Sequence, residues 1–318
     1  MEEKIIELLR KHDEYLSGED LSKELKVSRQ ALWKHVQNLK ELGFDIAAVP
    51  HLGYRLVSSP DRLYDFEIQH GLKTKSLGRK VLYFDSLDST MDMATKLAMQ
   101  GCPEGTLVLA EAQSKGRGRM GRAWHSPKYK GLYFSLVLRP KISVDKAAVI
   151  TLLCGVSIAE AVKEISGSDV QIKWPNDILI RNKKLGGILT EIKAEMDEAA
   201  FMIIGVGLNI NNDKKSLITG ATSLREEAGS SFKRVEVLRA ILQRLEAHYL
   251  SFRHKGPAEI IEKWRRLALT IGRRVKVSSH SEHIEGEAFD VDLDGALLIR
   301  NDSGLTRKVI AGDVLHCR

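Results

Sequence analysis

The sequence predicts an α/β (α+β) multidomain fold in three parts: an N-terminal winged helix-turn-helix, a central mixed α/β body and a small C-terminal β-barrel. Three observations carry this. Residues 1–57 read as three helices followed by two short strands. Residues 62–270 alternate apolar strands with longer amphipathic helices. From Gly272 the pattern changes to short strands with turns at Asp294-Gly295 and Ser303-Gly304. The predicted domains are 1–60, 61–270 and 271–318, since 318 residues exceed one small domain.

In the first part, Ile5, Ile6, Leu8 and Leu9 form the apolar face of a helix. Ser17 caps a second helix, with Leu21 and Leu25 inward and Asp20 at its third position. Ser28 caps a third helix that runs from Arg29 to Leu42 and stops at Gly43. Its inward set is Ala31, Leu32, Val36, Leu39 and Leu42. Strands Ile46–Val49 and Tyr54–Val57 flank His51-Leu52-Gly53 as a wing. In such a module the third helix enters a DNA major groove and the hairpin touches the flanking backbone. Ser28, Arg29, Gln30, Lys34, His35 and Asn38 are the candidate DNA-binding residues. Two features pull apart. Residues 1–60 hold nine Lys/Arg against ten Asp/Glu, a net −1 that is poorly suited to neutralising phosphates. The exposed face of the third helix nevertheless carries no acid before Glu41. A protein-contact role stays open, and DNA recognition by one weak module would require a dimer on a two-fold site.

Ser58-Ser59-Pro60-Asp61 reads as a linker. Val81–Phe84 is a strand, and Asp85 to Thr90 is a turn capping a helix from about Met91 to Met99. Strands follow at Thr106–Ala112 and Leu132–Leu138, then a long helix at Ala147–Ile165. Gln171–Ile180 is a strand pair broken by Trp174-Pro175-Asn176-Asp177, with a hairpin turn at Asn182-Lys183. Leu185–Ile192 and Phe201–Leu208 are strands; Val235–Phe252 and Glu259–Leu267 are helices.

Bulk properties narrow the function. No run approaches the roughly 20 apolar residues of a membrane span. Met1-Glu2-Glu3-Lys4 leads straight into a helix, so no signal peptide is expected. Cys102, Cys154 and Cys317 are unpaired by spacing and read as reduced thiols of a cytoplasmic protein. His280 and His283 have no companions for a metal set and read as surface residues. The net charge of +7 lies outside the first 60 residues, where 40 bases face 32 acids. A basic body suits anionic ligands.

The most telling stretch is Gly116-Arg117-Gly118-Arg119-Met120-Gly121-Arg122-Ala123-Trp124. Arginine offers a permanent charge and a flat fork of donors, and glycine lets backbone approach an anion closely. Alone it is equally compatible with a solvated loop. Other polar clusters lie at strand ends and in loops: Ser89-Thr90, Gln113, Lys173 to Asp177, Lys184, and Gly205-x-Gly207-x-Asn209. Singly, Ser89 reads as a helix cap, Trp174 as core, Lys184 as hairpin solvation and Gly205-x-Gly207 as a bulge or strand exit. No dinucleotide fingerprint, P-loop or Gly-x-Ser-x-Gly elbow is present.

In combination and order, these residues resemble the bifunctional biotin–protein ligase and biotin-operon repressor family. The carriers are Asp88-Ser89-Thr90, Gly116 to Arg122, Lys173-Trp174-Pro175-Asn176-Asp177, Lys184-Leu185-Gly186-Gly187-Ile188-Leu189-x-Glu191 and Gly205-x-Gly207-x-Asn209. The likeness spans the whole chain, including the winged helix and the terminal barrel, which it implies is SH3-like. Met91 departs from it, where asparagine commonly follows the Ser-Thr pair.

The resemblance implies an ATP- and Mg²⁺-dependent, AMP-forming ligase. It would join biotin to ATP as biotinyl-5′-AMP and pass biotin to a lysine of a biotin carboxyl carrier domain. Lys184, Arg119 and Arg117 would be catalytic. Ser89, Thr90, Met91, Gln113, Arg117, Gly118, Arg119 and Lys184 would bind biotin; Arg122, Trp124, Asn176 and Asn209 would bind ATP. Asp177 would hold Mg²⁺ through phosphate oxygens and water. The Gly/Arg loop is expected to order over the adenylate and exclude water. The adenylate-bound protein is expected to dimerise on operator DNA and repress biotin-synthesis genes. A ligase without DNA binding, a lipoate or octanoate ligase, and a non-catalytic biotin-responsive regulator remain as alternatives.

Overall fold

The computed structural model describes residues 1–195, 198–278 and 283–316. His280 and Cys317, read above as a surface residue and a reduced thiol, lie outside the described residues. The chain forms two compact units, Met1–Arg62 and Leu63–Arg318.

The first unit contains helices α1 (Glu2–Lys11), α2 (Gly18–Leu25) and α3 (Arg29–Glu41), then strands β1 (Asp45–Val49) and β2 (Gly53–Ser58). Both predicted caps form: Oγ of Ser17 accepts from Glu19 N and Oγ of Ser28 from Ala31 N, each at 3.1 Å. Between α2 and α3, left-handed Lys26 ends one helix two residues before Ser28 starts the next. Ile5, Ile6, Leu9, Leu21, Leu32, Val36 and Leu39 make the core, on the predicted faces. Leu42, expected inward, is 36% exposed because it caps α3 as the chain turns into Gly43. The wing is the antiparallel β1–β2 hairpin.

The second unit is built on a seven-stranded sheet. In chain order it contains α4 (Asp65–Gln69), β3 (Val81–Phe84), α5 (Thr90–Met99), β4 (Leu107–Ala110), β5 (Leu132–Leu138), α6 (Ala147–Ser166), β6 (Val170–Lys173), β7 (Asp177–Ile180), β8 (Lys183–Glu195) and β9 (Glu198–Leu208). Then come α7 (Leu224–Ala228), α8 (Arg234–Lys255) and α9 (Ala258–Leu267). The strand order is β3-β4-β5-β9-β8-β7-β6; β3 and β4 are parallel and the other pairs antiparallel. Both faces are covered, so the central strands are buried along their length, as all seven residues of β5 show. Val108, Val137 and Ile203 point to α5, where they meet Met91, Ala94, Ala98 and, just past the helix, Cys102. Their alternates Leu107, Leu109, Leu136 and Ile204 join the core built with α6, α8 and α9. Cys102 and Cys154 are buried, and burial pushes the Cys154 thiol up to about 12, so both are packing residues.

The chain ends in β10 (Arg273–Ser278), β11 (His283–Val291), β12 (Leu297–Arg300), β13 (Thr306–Val309) and β14 (Asp313–His316). These form an antiparallel sheet in the order β13-β12-β11-β10-β14. The barrel predicted here is therefore open: no ladder joins β13 to β14 among the described residues. Val275, Val277, Leu297 and Ile299 continue the core of the second unit. Trp174 is that core's largest link, 2% exposed, with its indole N–H donating to Gly295 O at 3.1 Å.

Two local differences from the sequence reading have clear causes. The β7–β8 turn is Arg181-Asn182, one residue earlier than expected; both residues have positive φ, the geometry a two-residue hairpin demands. The short helices α4 and α7 had no periodicity to announce them, each being five residues long.

Candidate active site

The Gly/Arg stretch forms a closed tongue. Trp124 N donates to Gly116 O at 2.8 Å and Gly118 N to Arg122 O at 2.7 Å, and Arg119–Gly121 makes a single tight turn at left-handed Met120. The tongue borders a cavity of about 260 Å³ on the sheet. Of the predicted ligand-binding residues, Thr90, Met91, Gln113, Arg117, Gly118, Arg119, Arg122, Trp124, Asn176, Asp177 and Lys184 all line it.

One side of the wall is a relay of neutral groups. Oγ of Ser135 donates to Oγ1 of Thr90 (2.8 Å), which donates to Oε1 of Gln113 (3.1 Å). Nε2 of Gln113 donates to Oγ of Ser126 (3.0 Å), which donates to Trp124 O (3.3 Å). Thr90 N also donates to Oε1 of Gln113 at 2.9 Å. The relay ties the start of α5 to the exit of the tongue and fixes the amide's orientation. Ser126 and Ser135 escaped the sequence reading because a lone serine carries no motif.

Another part of the wall is charged. Nζ of Lys184 lies 2.7 Å from Oδ1 of Asp177 and 5.6 Å from the centre of the Trp124 ring. A bulge makes this pairing possible. Asp177 opposes Gly187, and by strict alternation Lys184, three residues away, would point to the opposite face. The register slips between Ile178 and Leu179, leaving buried Leu185 as the extra residue and returning Lys184 to Asp177's face. Arg119 donates to Oδ1 of Asn176 and to Gly312 O, both at 3.0 Å, while Asn176 is held by Ile188 O at 2.7 Å. Arg122 pairs with Asp313. Burial holds Arg119 and Lys173 below their usual ranges, which marks a dry, cation-rich corner. Gly312 and Asp313 lie almost two hundred residues from the tongue, so no local pattern could have flagged them.

Gly205 and Gly207 are neither bulge nor strand exit. Both lie in regular β9 ladders. A Cβ on Gly205 would come within 2.4 Å of the Met91 sulfur, and one on Gly207 within 2.4 Å of the Trp124 indole. The glycines are there because two side chains lie flat on the sheet. Among the described residues, the indole N–H of Trp124 is buried without a partner.

Two predicted residues stand apart from the cavity lining. Ser89 is buried and caps α5 through Asp92 N, and Asn209 is buried with its amide on Thr222 O at 3.1 Å. Ser89 immediately precedes Thr90, which lines the cavity, and Thr222 N in turn donates to Lys184 O at 2.9 Å. Among the described residues no cluster of three or more His, Cys, Asp or Glu could cage a metal.

In the first unit, Gln30 and Lys34 project from α3 into solvent. Arg29 pairs with Glu19 at 2.7 Å. His35 Nδ1 lies 2.9 Å from Oε1 of Glu2, and Asn38 donates to the same oxygen at 3.4 Å. These bonds hold the Glu2 carboxyl at about 2. They also occupy polar atoms of two side chains predicted to bind DNA. Trp33, 54% exposed on the same helix, is an exposed aromatic that the polar pattern overlooked.

Comparisons with known proteins agree with this arrangement. Residues 83–209 match the Biotin/lipoate A/B protein ligase family, residues 2–55 an HTH domain, and residues 270–316 the Biotin protein ligase C terminal domain. The chain is 40% identical over 306 residues to the bifunctional ligase/repressor BirA of Bacillus subtilis strain 168, covering 95% of this chain and 94% of that protein. It is 32% identical over 317 residues to BirA of Escherichia coli K12, covering 98% and 95%. The biotin protein ligase from Aquifex aeolicus in complex with biotin and ATP is similar in structure, with TM-score 0.65 and 30% identity over 76% of this chain and 99% of that chain. With an HTH domain, the ligase body and the ligase C-terminal domain in one continuous match, the chain belongs to the family of bifunctional biotin protein ligases and biotin-operon repressors.

Proposed function

We propose that the cavity joins biotin to ATP, giving biotinyl-5′-AMP and pyrophosphate, and then transfers biotin to a lysine of a carboxylase's biotin carboxyl carrier domain. The observation that carries this is one cavity with a neutral hydroxyl–amide relay in its wall and four cations around it, Arg117, Arg119, Arg122 and Lys184. In this reading Thr90 and Gln113 hydrogen-bond the ureido ring, Met91 supplies an apolar floor, and Ser89 positions both by capping α5. A carboxylate oxygen then attacks the α-phosphorus and the bond to pyrophosphate breaks. Two anions must meet, so Lys184 and Arg119 lower the barrier by holding both and neutralising the charge that builds between them. Gly118 lets the tongue backbone approach the ligand. Arg122 takes the polyphosphate, and Trp124 flanks the adenine, its unpaired N–H awaiting an acceptor. Asn176 and Asn209 keep the nucleotide end in shape. In the second step a neutral lysine amine attacks the acyl carbon, AMP leaves, and the amide is formed.

Mg²⁺ fits only through the substrate. Asp177 lines the cavity with one of its oxygens held by Lys184, and a lone carboxylate supplies few of an ion's ligands. A hard ion there would complete its shell with phosphate oxygens and water and would draw charge off the triphosphate.

As a repressor the protein would act as a homodimer on a two-fold operator, with Ser28, Arg29, Gln30, Lys34, His35 and Asn38 at the DNA and biotinyl-AMP as the signal. Residues 1–60, 61–270 and 271–318 would be its functional domains, a division that the three family matches support. We place the protein in the cytoplasm, where carboxylase and operator are; no described helix is long and apolar enough to cross a membrane. The test is to incubate the protein with biotin, Mg²⁺-ATP and an acceptor domain, and weigh the acceptor. One added biotin on one lysine is the expected result; an unmodified acceptor would remove the reading. Footprinting upstream of biotin-synthesis genes, with and without biotin and ATP, tests the repressor half.

A further inference from the structure

The tongue arginines do not all face the same way. Arg117 borders the cavity on one side and a shallow outer pocket between α5 and β8 on the other. On that outer side its Nη2 is 2.9 Å from Oδ1 of Asp92. Its Nη1 and Nη2 lie 2.9 Å and 3.1 Å from the two carboxylate oxygens of Glu191, fork against fork. Asp92 comes from α5, two residues after Thr90. Glu191 comes from β8, two residues after Leu189, which lines the cavity. Neither carboxylate lines the cavity itself. Elements on two sides of the cavity thus each send one acid outward to the same tongue arginine.

We infer that Asp92 and Glu191 are a latch: positioning residues that grip Arg117 from outside and hold the tongue shut over the biotinyl adenylate. This rests on the ligase chemistry proposed above, since it concerns how long that chemistry's intermediate is kept. Arg117 is the first residue beyond the tongue's neck at Gly116, so fixing it fixes the hinge end of the loop. The latch groups are 38–62% exposed, which makes each bond weak, reversible and sensitive to salt. Those properties suit a lid that must open on every turnover. A buried pair would hold too firmly to release product.

The test uses the full chain and the isosteric double variant Asp92→Asn, Glu191→Gln. Labelled biotin and Mg²⁺-ATP form the adenylate, excess unlabelled biotin is added, and loss of label from the protein is followed. The expected result is first-turnover synthesis in both proteins, with the bound adenylate lost about tenfold faster from the variant, equivalent to about 1.4 kcal/mol. Salt supplies a readout that a purely structural role would not move. Between about 0.01 M and 1 M salt the Debye length shrinks from roughly 30 Å to 3 Å. The wild-type lifetime should shorten more steeply over this range than the variant's, which keeps the Arg122–Asp313 tie. A variant lifetime equal to or longer than wild type, or a salt dependence undiminished in the variant, overturns the latch. Failure of the wild type to make adenylate would instead overturn the ligase chemistry.

Discussion

Lys184 and Asp177 meet at 2.7 Å across a hairpin whose register would have kept them on opposite faces without the one-residue slip at Leu185. In the proposed chemistry the cation that holds two anions is itself held by an acid, and so enters the reaction already aimed. Replacing Lys184 by Ala should lower biotin-dependent ATP–pyrophosphate exchange by about 10²–10³-fold, the scale for losing one group aimed at developing charge. The melting temperature should hardly change, because the side chain is partly exposed and leaves no apolar void. Unchanged exchange would remove Lys184 from the mechanism.

Gly207 should tolerate nothing larger. In Gly207→Ala the new methyl would meet the Trp124 indole at 2.4 Å, and the indole must move. Such overpacking costs about 1–3 kcal/mol. If Trp124 flanks the adenine as proposed, the KM for ATP should rise more than the KM for biotin. Shrinking the indole with Trp124→Leu in the same chain should recover stability but not ATP affinity. A variant with wild-type melting temperature and KM would show that the ring does not rest on the sheet in solution.

Gln113 joins two neighbours in the relay. Gln113→Leu keeps the volume but leaves Thr90 N and Oγ1 without their acceptor, at a cost of about 1–3 kcal/mol. Calorimetry should find biotin affinity reduced by about 10- to 100-fold, with ATP affinity little altered. Equal losses for both ligands would place Gln113 in general scaffolding.

The helix-turn-helix should carry an acid-sensitive contact at Glu2. Hydrogen bonds from His35 and, less strongly, Asn38 hold its carboxyl down at about 2, below its ordinary value of 4.5. A depressed carboxylate contributes stability that is present above the unfolded value and is lost as pH falls toward the folded one. The difference between wild type and Glu2→Gln should therefore be constant above about pH 5 and vanish between pH 4.5 and 2. It should be no more than about 1 kcal/mol for a pair still partly open to solvent. A difference that persists at pH 2 would assign the effect to something other than ionisation.

Much of this molecule is legible in its residues, for physical reasons. Ser17 and Ser28 announce helices because caps are local. Val108 and Val137 sort to one face of the sheet because strand alternation is local as well. The cavity lining was readable because Arg117 to Arg122 and Lys173 to Asp177 are dense, unusual runs. What stayed hidden was long-range or single-residue. The Leu185 bulge depends on a register slip that no pattern displays. Asp313 reaches the tongue only through the path of the terminal sheet. The open edge of that sheet depends on whether β13 and β14 meet, which alternation within each strand cannot tell. Gly205 and Gly207 read singly as a bulge or strand exit, because the side chains that lie on them come from distant parts of the chain.

The tongue's other moorings have a genetic consequence. Arg119 donates to the carbonyl of Gly312, and Arg122 pairs with Asp313. A stop codon at position 312 would spare every cavity residue from Thr90 to Lys184, yet cut both ties at once. Such an allele should behave in a biotin auxotrophy screen as an active-site lesion, although its deletion begins more than a hundred residues after Lys184.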